Sequence, residues 1–435
     1  MDASADAHAV LRARAARRRS RRARLAMLSA VLCLGAGAVS VAAAELSGEQ
    51  FTPQGSKLTT TPAHADDEAG HSVSLSADGD TALAGERHSG GAGVAYVFVR
   101  TGTSWAQQGP KLTAQGATQF GGSVALSGDG DTALVGGKTS KGLGAVWVFT
   151  FNGTTWAQQG APLEGSGESK SSGFGASVAI SGDGATALVG GPGNHGVGAV
   201  WVFALVGSTW TPQGPALVGN GVSHGGKFGS SVALSSDGNT ALVGGVSKRS
   251  AGPAWVFVRT GTSWAQQGPK LPASGHSGSS QSYGDSVALS GDGNTALLGG
   301  PSNDKFSGAV WVFDRTATTW SAGGALTPSG EKGRGAFGAS VALSGDGNTA
   351  VIGGPFDDFF GGAGWVFTRS AAGAWAQQGA KLTSAAASGA SEFGSSAAIS
   401  SDASTILIGG PTDHDLAGAV WVFAQPLPVG ATGPS

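Results

Sequence analysis

One phrase recurs seven times along the chain: Phe-Gly-x-Ser-Val-Ala-Leu-Ser, an Asp-Gly turn, Thr-Ala-Leu-Val-Gly-Gly, a variable stretch, Gly-Ala-Val-Trp-Val-Phe, then Trp-x-Gln-Gln-Gly-x-x-Leu. Its serine falls at Ser72, Ser123, Ser177, Ser231, Ser286, Ser340 and Ser396, so successive copies lie 51 to 56 residues apart. A period of that length, built from several strand-like pieces, predicts a propeller or a related array. Length alone would suggest about three domains; the repeat overrides that expectation.

Each copy carries four strand signals. In the second copy the first strand is expected over 123–127, small and medium residues. Asp129-Gly130 then turns the chain, an Asp-Gly pair being a strong hairpin signal because it tolerates positive φ. Asn239, Asn294 and Asn348 stand at the equivalent of Asp131 and suit the same geometry. The second strand is expected over 132–136. The third, over 145–149, is apolar on both faces and must be covered on both. The fourth begins at Trp156 and runs towards Leu163. No 3.6-residue pattern appears after residue 45. The fold class expected is therefore all-β: a seven-bladed β-propeller of four-stranded antiparallel blades over residues 45–424. The fourth-strand phrase recurs at Trp105, Trp156, Trp210, Trp264, Trp320 and Trp375, and once more over 51–58, ahead of the first three-strand set. The last set ends at Phe423 with no fourth strand behind it. An N-terminal strand is thus predicted to close the ring, removing exposed strand edges.

Residues 1–44 differ in kind. Eight arginines between Arg12 and Arg24 precede an apolar stretch that ends in Ala42-Ala43-Ala44. This is the pattern of a secretory signal peptide, or of an uncleaved anchor if the stretch spans a bilayer. Secretion, or placement at the cell surface or envelope, is expected. Cys33, the single cysteine, lies inside this segment, so the remainder carries no disulfide and must be held by its core. Cleavage would leave 18 basic against 26 acidic residues. That balance argues against nucleic acid or anionic lipid as a partner; a membrane would be a partner only through a retained leader. Residues 425–435 form a short tail. The 77 glycines among 435 residues, well above the usual ~7%, recur at fixed repeat positions and read as turns and close approaches.

Phe120-Gly121, Phe174-Gly175, Phe228-Gly229, Phe337-Gly338 and Phe393-Gly394, with Tyr283-Gly284 as a variant, resemble the first half of the FG-GAP repeat of integrin α-subunit propellers and their bacterial relatives. Gly190-Gly191-Pro192, Gly299-Gly300-Pro301, Gly353-Gly354-Pro355 and Gly409-Gly410-Pro411 stand where that family has Gly-Ala-Pro. The resemblance covers residues 51–424 and implies an extracellular propeller for adhesion or ligand binding. The family's calcium cages do not carry over, because a turn as short as 344–349 offers too few of the six to eight oxygens calcium needs. No metal and no cofactor are expected.

No Gly-x-Ser-x-Gly elbow, His-Glu-x-x-His or phosphate loop occurs. The seven repeated serines read as structural. His64, His71, His88, His195, His224, His276 and His414 read as single, solvated loop residues. The tryptophans read as packing. Loops joining the second and third strands share one face with the loops between blades. There Arg87, Lys138, Lys141, Lys248 and Arg249 lie in early copies, and Asp304, Asp357, Asp358, Asp413 and Asp415 in late ones. The loop holding Asp357, Asp358, Phe359 and Phe360 combines carboxylates and aromatics; with Asp413, His414 and Asp415 it supplies the candidate ligand-binding residues. The expectation is a monomeric, exported, non-enzymatic propeller that engages a protein or cell-surface glycan. Its alternatives are a lectin-like module and an enzyme with a site in the central funnel.

Overall fold

The computed structural model describes residues 50–60, 66–88, 91–139, 141–246, 253–271, 283–384, 387 and 389–426. The leader expected over 1–44 and most of the tail lie outside these residues, as do His64, Lys248, Arg249 and His276.

Seven four-stranded antiparallel sheets form, one per copy of the repeat. In blade 1 the strands are Ala69–Leu75, Thr81–Glu86, Val94–Thr101 and Ser104–Gln107, in that spatial order. Blades 2 to 6 follow the same order. Blade 7 joins Ser396–Ile399, Thr405–Gly410 and Ala419–Ala424 to Thr52–Pro53, which lies outermost with Thr52 opposite Ala424 and Pro53 opposite Phe423. Gln54 N–H donates to the Val422 carbonyl at 2.8 Å, and Leu58 exchanges two backbone bonds with Val420.

Repeated residues make repeated contacts with the next blade. Ser72 Oγ donates to the Gly121 carbonyl at 2.8 Å, Ser123 to Gly175 at 2.7 Å, and so on round to Ser396, which donates to Gly70 at 2.8 Å. The glycine opposite each serine is required by this approach: a Cβ on Gly136 would lie 2.2 Å from the Gly175 carbonyl. A second circuit runs around the axis through the hairpin turns. The backbone N–H groups of Ala77, Gly128, Gly182, Ser236, Gly291, Gly345 and Ser401 each donate to the carbonyl of the next, and Ser401 returns to Ala77 at 2.9 Å. Both circuits take seven steps, so blades 1 and 7 meet through the same bonds as any other pair of neighbours.

Apolar packing fills the space between blades. Phe120 meets Trp147 edge-on at 5.4 Å and Phe149 at 6.0 Å, and the Phe-Gly phenylalanines of blades 3, 4, 6 and 7 repeat this geometry. At the seam, Leu58, Ala82, Val94, Tyr96 and Phe98 pack with Leu407, Val420 and Val422. Strands with apolar residues on both faces are buried because each sheet is sandwiched by its neighbours.

Candidate active site

The ring has two concave ends. At the hairpin end a channel of about 490 Å³ is walled by one aliphatic residue per blade, from Leu75 to Ile399. The hairpin carboxylates at its mouth are committed within their own turns: Asp129 accepts from Ser127 Oγ at 2.6 Å and from the Asp131 N–H at 3.1 Å. That end presents a ring of aliphatic side chains beneath polar turns whose own residues bond one another.

The loop end differs. The residue before each Phe-Gly, or before its variant, has a left-handed backbone wherever it is described: Glu68 (φ 56°), Gln119 (52°), Gly173 (63°), Lys227 (43°), Ala336 (55°) and Glu392 (49°). Because this conformation recurs wherever the position is described, with Gly173 and Ala336 among its residues, it belongs to the repeat. Beside Gln119 lies a cavity of about 230 Å³ lined by His71, Arg87, Lys138 and glycine-rich backbone of blades 2 and 3.

At this cavity the early-copy cations meet two histidines and a carboxylate. Glu68 Oε2 lies 3.7 Å from His71 Nδ1 and 3.7 Å from His88 Nε2, ion-pair distances longer than hydrogen bonds. Arg87 Nε donates to His88 Nε2 at 3.2 Å. Burial first, then the Arg87 charge, holds the His71 imidazole below its ordinary range, while Glu68 opposes the shift. His71 is therefore neutral at neutral pH, with a carboxylate beside it to stabilise the imidazolium. In blade 7, burial and then the like charge of Glu68 raise the Glu392 carboxyl. A neutral imidazole, a partner carboxylate, a carboxyl biased toward its protonated form and two cations are the parts of general acid–base chemistry on an anionic or carbonyl substrate.

The reading of the histidines as solitary loop residues is corrected for His71 and His88. They come from the first strand of blade 1 and from the loop after its second strand, and adjacent strands bring them to one carboxylate. The only sequence signal was the cluster of cations, Arg87 and Lys138, in the early loops. Glu68 carries no motif.

The candidate binding residues separate into two blades and two environments. Asp357 and Asp413 are corrected as ligand contacts: both are fully buried, paired with Lys381 and Lys57 respectively. These lysines sit over the Trp365 and Trp421 rings at 5.9 and 5.7 Å. Asp357 also accepts from the Lys332 backbone N–H at 2.6 Å. Each buried acid thereby anchors a turn in which three successive residues, 358–360 or 414–416, have positive φ. Asp358 pairs with Lys332 at 3.0 Å, Phe360 packs on Phe356 at 5.1 Å, and Phe359, His414 and Asp415 face solvent.

No known family's sequence profile matches the chain, and no curated protein sequence matches it. Solved structures do share its fold. The propeller domain of Cps50 (Swd1) from Myceliophteria thermophila superposes with a TM-score of 0.52 at 10% identity, covering 86% of this chain and 99% of that one. A protein provisionally assigned as a 6-phosphogluconolactonase from Bacteroides uniformis gives 0.51 at 13% identity, covering 72% and 85%. A protein with the same provisional assignment from Bacteroides fragilis gives 0.51 at 15%, covering 72% and 84%. At these identities the shared feature is the propeller fold. The expectation of a non-enzymatic adhesion or lectin-like propeller is corrected at this point: it rested on the architecture, and proteins assigned as enzymes have the same architecture. What stands of the FG-GAP resemblance is the seven-bladed propeller.

Proposed function

We propose that the protein is a propeller hydrolase acting on a small lactone or ester, with sugar-acid lactones as the first class to test. The observation that carries this reading is the meeting of His71 and His88 at the Glu68 carboxylate, beside a cavity edged by Arg87 and Lys138. The provisional lactonase assignments of two fold neighbours support the choice of substrate class.

In this reading neutral His71 takes a proton from water as the water adds to the lactone carbonyl. Glu68 stabilises the imidazolium. Arg87 and Lys138 face the negative charge on the carbonyl oxygen or on an acidic substituent. Collapse of the adduct breaks the ring C–O bond, and the imidazolium returns its proton to the departing oxygen. The test is hydrolysis of glucono-lactone and of its 6-phosphate. His71→Ala should lower kcat/KM by about 10²–10⁴-fold, the usual worth of a positioned base. Lys138→Ala should raise KM more for the phosphorylated substrate. Turnover of neither lactone, or full activity in His71→Ala, would overturn the reading.

The repeat residues also support an FG-GAP type of blade, and the Arg-rich and apolar leader supports export. N-terminal sequencing of protein recovered outside the cytoplasm tests the second point: a start near residue 45 is the expected result.

A further inference from the structure

In blades 5, 6 and 7 the second strand is followed by the same turn. Its three residues, 304–306, 358–360 and 414–416, all have positive φ, and the last of them is large and apolar: Phe306 (φ 77°), Phe360 (68°) or Leu416 (66°). The N–H groups of Gly308, Gly362 and Gly418 close the turns on the carbonyls of Asn303, Asp357 and Asp413 at 2.9, 2.8 and 2.9 Å. One turn thus forms on an amide in blade 5 and on a buried acid in blades 6 and 7. Large side chains rarely accept positive φ, and such a backbone persists only where surrounding bonds hold it. Leu416 is 39% exposed, so it is main chain, more than side chain, that the position supplies.

What the turn supplies is its last carbonyl. That of Phe306 accepts from the Ala336 N–H at 2.8 Å, that of Phe360 from the Glu392 N–H at 2.9 Å, and that of Leu416 from the Glu68 N–H at 2.8 Å. Each bond crosses a joint to the residue that precedes the Phe-Gly phrase of the next blade, or its variant. At the first joint that residue is alanine. At the other two it is a glutamate, and both glutamates belong to the candidate site.

Glu68 is held on both sides. Its N–H is bonded to Leu416, its carbonyl accepts from the His71 N–H at 3.1 Å, and the Ala69 N–H donates to the Ala417 carbonyl at 3.0 Å. Its carboxylate lies 3.7 Å from His71 and 3.7 Å from His88. The left-handed backbone of Glu68 is common to its repeat position; the bond to blade 7 is what the turn adds. A partly exposed carboxylate keeps its place between two imidazoles only if the peptide that carries it is fixed.

We propose that Leu416 is a positioning residue for Glu68: its left-handed backbone aims the carbonyl that fixes the Glu68 peptide, from which one carboxylate reaches His71 and His88. Blade 7 thereby takes part in the site through its main chain. The effect on catalysis rests on the hydrolase reading; the positioning does not.

The test exploits φ in the full chain. Glycine adopts positive φ freely and a β-branched residue does not, so Leu416→Gly should keep the turn and Leu416→Val should displace it. Neither variant changes a charge. Glu68, Arg87 and His88 are the charged and titratable groups acting on His71, and of these only Glu68 raises its pKa. In an NMR titration with ring-labelled histidine, Leu416→Val should therefore move His71 to lower pH, in the direction of Glu68→Gln, while Leu416→Gly leaves it in place. In the valine variant alone kcat/KM for the lactone should fall about tenfold or more, as displaced groups cost. If that variant fails to fold, amide exchange of the wild-type protein decides: the Glu68 N–H should exchange about a hundredfold more slowly than in an unstructured peptide. Exchange at the unstructured rate would overturn the proposal, as would an unchanged His71 titration in folded Leu416→Val. A shifted titration in a protein that turns over no lactone would uphold the positioning and remove the hydrolase reading.

Discussion

Trp105 of blade 1 donates its indole N–H to Gln54 Oε1 at 3.0 Å, reaching the segment that edges blade 7. Trp156 and Gln108, Trp210 and Gln159, Trp264 and Gln213, and Trp320 and Gln267 repeat the bond between adjacent blades. The two ends of the ring are therefore joined by the same side-chain contact as its interior joints.

Phe51 is 3% exposed and packs with Phe393, Trp421 and Phe423. Phe51→Ala should destabilise the protein by about 3–5 kcal/mol, the range for emptying a buried aromatic site. Denaturant unfolding checks this. A loss well under 1 kcal/mol would mean that residues 51–58 add little to blade 7.

Trp375 breaks the series. Its indole N–H is buried with no hydrogen-bond partner among the described residues, because the position that Gln108 fills in blade 1 is Gly323 in blade 5. Gly323→Gln should supply the acceptor and stabilise by about 1 kcal/mol. A Cβ there meets Asp314 Oδ2 at 3.3 Å, a contact the side chain can relax. Gly323→Ala is the control, with no such gain expected.

Lys381→Met would leave the Asp357 carboxylate buried without its cation, at a cost of about 3–5 kcal/mol. Adding Asp357→Asn should recover part of that loss, since the remaining group is neutral and its oxygen still accepts from the Lys332 N–H. Thermal and denaturant unfolding of the single and double variants measure both steps. No recovery would mean that the loss comes from the ammonium's place over the Trp365 ring rather than from the unpaired carboxylate.

The pH profile of lactone hydrolysis should report His71. Activity requires the neutral imidazole, whose folded pKa is depressed by burial and by Arg87. The acid limb of kcat/KM should therefore lie below the ordinary histidine value near 6.5. Removing the Arg87 charge with Arg87→Gln should move the limb to higher pH. Glu68→Gln should move it lower, because Glu68 favours the charged form. Shifts of the opposite sign would exclude His71 as the base. The same depression destabilises the fold as pH falls below the unfolded histidine value, because the unfolded chain then binds the proton more readily.

The blade count, the strand order and the roles of serine and glycine were legible from spacing alone. Ser123, Gly136 and Gly175 recur because each blade meets an equivalent neighbour, so one contact is written seven times. The left-handed turns at 304–306, 358–360 and 414–416 were not legible. Nothing in Asp357 or Asp413 distinguishes an acid facing solvent from one drawn inward by a lysine in the segment after the outer strand. Their loops attracted attention for aromatics and charge, yet the two aspartates proved to be anchors.

The sequence by itself determined the seven-bladed architecture, because a repeat multiplies each weak local preference and requires all copies to agree. Tertiary structure alone decided where the chemistry lies. Glu68, His71, His88, Lys138 and Glu392 occupy positions where the copies disagree, and a departure from the repeat has no partner until the ring wraps. Only then does the Glu68 charge act on Glu392 of blade 7, and only then do the first strand of blade 1 and the loop after its second strand bring two imidazoles to one carboxylate.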